Sequence, residues 1–98
     1  MIKITFVSPI EDVNPDDDNI DVHVHLDDGR TFSFLVATPK NIYRSMNNEG
    51  IDHYFGTPPL FVREITSVAV ERAIQAILLE DNRCWLYVYG VLQTEGNG

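Results

Sequence analysis

Residues 20–37 read Ile20-Asp21-Val22-His23-Val24-His25-Leu26-Asp27-Asp28-Gly29-Arg30-Thr31-Phe32-Ser33-Phe34-Leu35-Val36-Ala37. Ile20, Val22, Val24 and Leu26 alternate with Asp21, His23, His25 and Asp27, the period-2 pattern of a strand with one apolar and one polar face. Asp27-Asp28-Gly29 is a turn, and residues 30–37 form the returning strand. The register follows from which side chains must share a face. A two-residue loop at Asp28-Gly29 would set His25 opposite Phe32 and His23 opposite Phe34, mixing the polar and apolar sets. A three-residue loop pairs Leu26 with Arg30, Val24 with Phe32, Val22 with Phe34 and Ile20 with Val36. Every apolar residue but Leu35 then falls on one side, and Gly29 takes the left-handed position of a type I turn with a G1 bulge. The three-residue loop is the expected one.

On the N-terminal side, Ile2, Ile4 and Phe6 alternate with Lys3, Thr5 and Val7, so residues 2–8 read as a first strand. On the C-terminal side, Thr38-Pro39 opens a helix with Thr38 as N-cap and Pro39 at its first position. Ile42, Tyr43 and Met46 share one face, and Asn47, Asn48 and Gly50 end the helix near residue 48. Residues 50–59 form a loop bearing His53, Tyr54 and Phe55. Leu60 to Ile65, bounded by Pro58-Pro59, reads as an edge or late strand. Thr66 or Ser67 caps a second helix reaching about Asp81, with Val70, Ile74, Ile77 and Leu78 buried and Ala73 and Ala76 allowing close approach. Cys84 to Leu92 is apolar on both faces and reads as a last strand; residues 93–98 should fray. The order is β-β-β-α-β-α-β. It describes a single α+β domain over residues 1–98, an antiparallel or mixed sheet of about five strands with two helices packed mainly on one face.

The chain of 98 residues fits one domain. Fifteen acids against seven bases give a net charge of −8, and the sequence pI is near 4.5. That balance argues against direct nucleic-acid binding, which needs clustered Lys and Arg to displace counterions, and against anionic membrane surfaces. No apolar run approaches the ~18–20 residues that span a bilayer, and Met1 to Phe6 has no export-signal pattern. Cys84 is the only cysteine, so no internal disulfide can form. A reduced, cytoplasmic setting is the expectation.

The charge is uneven. Residues 1–30 hold eight acids (Glu11, Asp12, Asp16, Asp17, Asp18, Asp21, Asp27, Asp28) against Lys3 and Arg30, a local −6. Glu11 to Asp18 lies among Pro9, Asn14, Pro15 and Asn19, which reads as a loop. Its charges either keep the protein soluble or form a negative surface that meets a positive one. Asp16, Asp17 and Asp18 should tolerate charge reversal, as loop residues commonly do.

Chemistry finds little purchase. His23 and His25 point to one polar face with the geometry of two metal ligands, and Asp21 or His53 could add a third. The same residues also suit an ordinary solvent face, with His25 opposite Thr31 and His23 opposite Ser33. A calcium loop starting at Asp12 places Asp17 where glycine is needed and His23 where glutamate is needed. There is no Gly-x-Ser-x-Gly elbow and no glycine-rich phosphate loop. Cys84 in an apolar strand behaves as a small hydrophobe. The expectation is a non-enzymatic protein with no cofactor; the alternative is a small metal- or ligand-binding accessory protein using His23 and His25, with His53.

The order of elements, the stretch Phe32-Ser33-Phe34-Leu35-Val36-Ala37-Thr38-Pro39-Lys40, the loop with His53 and Gly56, and Phe61-Val62-Arg63-Glu64 leading into the second helix resemble small bacterial immunity proteins. These neutralise toxins of polymorphic and contact-dependent growth-inhibition systems, and the resemblance covers roughly residues 20–90. It implies a cytoplasmic, non-catalytic protein that binds a cognate toxin domain, in many cases a nuclease. A nuclease presents a positive surface to hold phosphates, which an acidic protein can occupy as a phosphate mimic. The expected toxin-binding residues are Glu11, Asp12, Asp16, Asp17, Asp18 and Asp21, with Tyr54 and Phe55 as aromatic anchors.

Overall fold

The computed structural model describes residues 2–80 and 85–93. The central hairpin has the expected register. Strand β2 (Asn19–His25) runs antiparallel to β3 (Thr31–Ala37), with Val24 opposite Phe32, Val22 opposite Phe34 and Ile20 opposite Val36. The Leu26 N–H donates to the Arg30 carbonyl at 2.9 Å, and the Gly29 N–H donates to the Leu26 carbonyl at 3.1 Å. Gly29 sits at φ 91°, the left-handed backbone that the bulge requires.

Strand β1 (Lys3–Phe6), shorter than the expected 2–8, pairs antiparallel with β2. Helix α1 (Pro39–Glu49) follows β3; Thr38 Oγ1 accepts the Asn41 N–H at 3.2 Å, and Gly50 closes the far end at φ 71°. Strand β4 (Leu60–Phe61) is parallel to the end of β3, so the sheet is mixed. Helix α2 (Ser67–Leu78) starts at Thr66, whose Oγ1 accepts the Ala69 N–H at 3.1 Å. It stops at Leu78, and Asp81 and Cys84 lie outside the described residues.

Two expected strands are corrected. The strand over 60–65 is only two residues long, because Val62 and Ile65 turn into the core instead of continuing along β3. The strand over 84–92 is, where described, one turn of helix, α3 (Trp85–Tyr89), leading into strand β5 (Gly90–Gln93). Its residues are strand formers, yet packing overrides propensity. Leu86 is buried in the core, and Trp85 and Tyr89 stack with ring centroids 6.0 Å apart, a contact between residues four apart that helical geometry supplies. Tyr87 packs edge-on against Phe32, and its hydroxyl accepts Arg30 Nη1 at 2.6 Å. Strand β5 then pairs antiparallel with β3, and Gln93, expected to fray, lies opposite Thr31.

Strand β3 is thus the centre of the sheet, with β2 along one edge and β5 and β4 sharing the other. On one face, Ile20, Val22, Val24, Phe32, Phe34 and Val36 pack against Val70, Ile74 and Ile77 of α2 and Leu86 of α3. Val13, from the middle of the acidic segment, joins this core. The opposite face carries Thr5, Asp21, His23, His25, Thr31 and Ser33, following the strand alternation. Among the described residues, no helix is long and apolar enough to cross a membrane.

Candidate functional site

The acidic segment opens with a 3-10 turn (Ile10–Asp12), and residues 13–18 form a folded loop held from within. Asp18 accepts the N–H of Asn14 at 3.0 Å and of Asn19 at 2.8 Å; Asn14 Oδ1 accepts the Asp16 N–H at 3.2 Å. Two main-chain bonds tie the loop to the rest of the fold: Thr38 N–H to the Asp18 carbonyl at 3.2 Å, and Ile65 N–H to the Pro15 carbonyl at 2.9 Å.

Asp17 fastens the loop to α1. Its carboxylate accepts Arg44 Nε at 2.8 Å, Arg44 Nη2 at 3.1 Å and Asn41 Nδ2 at 3.1 Å, and its side chain keeps only 13 % of its exposure. Asn41, the buried residue of α1, also accepts Asn19 Nδ2 at 2.7 Å. The helix therefore docks on the loop through a polar clamp rather than through its apolar side chains, and Tyr43 is left 65 % exposed. The Arg44 hydrogen bond, aided by that from Asn41, holds the Asp17 carboxyl below the usual carboxylate range.

Of the expected toxin-binding acids, the structure separates two groups. Glu11, Asp12 and Asp16 are exposed on the loop, and Asp21 is exposed on the open sheet face. Asp17 and Asp18 hold the loop together, so charge reversal there would break the structure that presents the others. This corrects the expectation that Asp16, Asp17 and Asp18 are equally replaceable. An Asp17→Asn variant tests the clamp. Because the folded-state pKa is depressed, the stabilisation is complete above pH ~4 and is lost as the pH falls through the lower folded value. Urea titrations should show the variant less stable than wild type at pH 7, with the gap closing below pH ~4.

Tyr54 and Phe55 come together with α1. Met46 and Glu49 of its C-terminal half, with Ile51, His53, Tyr54 and Phe55, line a groove of about 250 Å³. Phe55 is 85 % exposed, and its ring lies parallel to that of His53, 3° between planes and 5.9 Å between centroids. Tyr54 Oη donates to the Thr57 carbonyl at 3.2 Å, closing the loop across Gly56 at φ 139°. Helix α1 thus touches the acidic loop with Asn41 and Arg44 and lines the aromatic groove with Met46 and Glu49. The sequence reading missed Met46 and Glu49 as groove residues; their helical spacing from Ile42 was the available signal.

The histidines do not converge. His25 lies between two hydroxyls, Nε2 3.1 Å from Thr5 Oγ1 and Nδ1 3.1 Å from Thr31 Oγ1, so both ring nitrogens are engaged. His23 meets His25 edge-on at 6.5 Å, while His53 is paired with Asp52 in the aromatic loop. Among the described residues, no group of three or more His, Cys, Asp or Glu is placed to hold a metal ion. No family model, curated protein or solved structure matches the chain.

Proposed function

We propose that this chain is a non-enzymatic immunity protein that binds a basic bacterial toxin domain, a nuclease in the leading case, and blocks it in the cytoplasm. The observation that carries the reading is the acidic loop itself: Glu11, Asp12 and Asp16 are exposed on a loop that Asp17 and Asp18 hold in one shape. A preorganised set of carboxylates can occupy a phosphate-binding surface without the ordering cost a flexible acidic tail would incur. Complementary fields raise association rates towards ~10⁸–10⁹ M⁻¹s⁻¹ at low salt, a speed suited to intercepting a toxic enzyme. The exposed Tyr54 and Phe55, joined to the same helix, supply the aromatic contact area that protein interfaces favour. The resemblance to small immunity proteins points the same way.

The experiment is affinity capture from a lysate of the source organism, washed at low and then high salt, with retained proteins identified by mass. A basic protein held at low salt and released at high salt is the expected result. Beads that retain nothing at either salt, with the bait folded, would count against this reading.

A further inference from the structure

We propose that the groove between α1 and residues 51–55 receives a single arginine side chain of the partner. The inference rests on the reading of a basic protein partner and refines it to one contact. At about 250 Å³ the groove is smaller than the ~300–1,000 Å³ typical of small-molecule and cofactor sites, and it suits one long side chain. Met46 and Ile51 offer apolar surface for the methylenes of such a chain. The exposed Phe55 ring, stacked on His53, offers a π-face. Glu49 supplies a carboxylate, and no lysine or arginine is among the lining residues.

Arginine fits this combination better than lysine. Its planar guanidinium stacks on an aromatic face and forks a carboxylate at once, whereas the ammonium of lysine is a compact, strongly hydrated charge. The bond from Tyr54 to Thr57 holds the loop in place before anything binds, which lowers the cost of filling the groove.

The test uses the isolated protein and a short synthetic peptide, Gly-Gly-Arg-Gly-Gly amide, titrated into ¹⁵N-labelled protein. Its citrulline counterpart keeps the shape and loses the charge. Backbone amides of residues 45–55 should shift with the arginine peptide, and the citrulline and lysine peptides should bind about tenfold and severalfold more weakly. Glu49→Gln and Phe55→Ala should each weaken the arginine peptide while leaving the spectrum outside 45–55 unchanged, showing an intact fold. Citrulline or lysine binding equal to arginine, or no shift in 45–55, would overturn the assignment.

The two readings can also fail separately. If a Glu49→Gln/Phe55→Ala variant captures the basic partner with undiminished affinity, the arginine groove is wrong and the acidic surface stands. If the peptide binds in the groove but no basic protein is captured, the groove stands and the immunity reading falls.

Discussion

A Glu11→Lys/Asp12→Lys/Asp16→Lys variant should associate with the proposed basic partner about 10- to 100-fold more slowly than wild type at low salt, with its fold intact. Three reversals raise the net charge from −8 to −2. All three side chains are exposed, so little packing is lost. Steered encounters run several decades faster than neutral ones, and most of the steering field here comes from the first thirty residues. Asp17 and Asp18 are left alone because their carboxylates hold Arg44, Asn41 and two loop amides. Screening sets the control: the Debye length shrinks from ~10 Å at 0.1 M salt to ~3 Å at 1 M, so the difference in association rate should largely vanish at high salt. Stopped-flow association across a salt series reads both effects. Equal rates for the two proteins at low salt would remove the acidic loop from the interface.

The largest expected loss of stability comes from Gly90. A Cβ at this position would lie 2.7 Å from the Leu86 carbonyl oxygen and 2.9 Å from the Phe34 ring. The obstacle is backbone on one side and a fully buried ring on the other, at the point where α3 becomes β5. Neither can yield without moving Leu86 or displacing Phe34 from the sheet. Gly90→Val should therefore cost about 3 kcal/mol, near the top of the usual range for overpacking, and Gly90→Ala somewhat less. For a domain of this size, 1 kcal/mol moves the melting temperature by ~4–8 °C, so calorimetry resolves either variant easily. A Gly90→Val protein as stable as wild type would show that α3 and β5 do not meet β3 as described.

Much of the fold was legible in the sequence because local and tertiary demands agree there. In residues 20–37 the alternation, the Asp-Asp-Gly turn and the face-sharing argument all select one register, and β2 and β3 adopt it. The cap at Thr38 and the glycine at residue 50 were readable for the same reason, and the second cap was narrowed to Thr66 or Ser67, of which the structure uses Thr66. Residues 84–92 misled because Trp85, Tyr87, Val88 and Tyr89 are strand formers, and nothing local signals that Leu86 enters the core from a helical turn. Residues 62–65 do not extend the strand because β4 runs parallel to β3 and Phe61 already faces Ala37, the last residue of β3; beyond it the chain turns into α1 and leaves no strand to pair with.

The site was legible in composition and less so in role. An acidic run announces itself, but the division of labour within it depends on Arg44 and Asn41, more than twenty residues away. Val13 gave no periodic signal among its polar neighbours, yet it helps bury one side of the loop. Tyr54 and Phe55 were readable as aromatic loop residues; their groove needed the position of α1.

Growth of a bacterial host measures most directly whether binding neutralises a toxic partner. The captured basic protein would be expressed in a bacterial host alone, with this chain, and with the Glu11→Lys/Asp12→Lys/Asp16→Lys variant. The partner alone should arrest growth, the wild-type chain should restore it, and the variant should restore it poorly. A partner that is harmless alone, or whose toxicity the wild-type chain leaves untouched, would overturn the immunity function proposed for this chain.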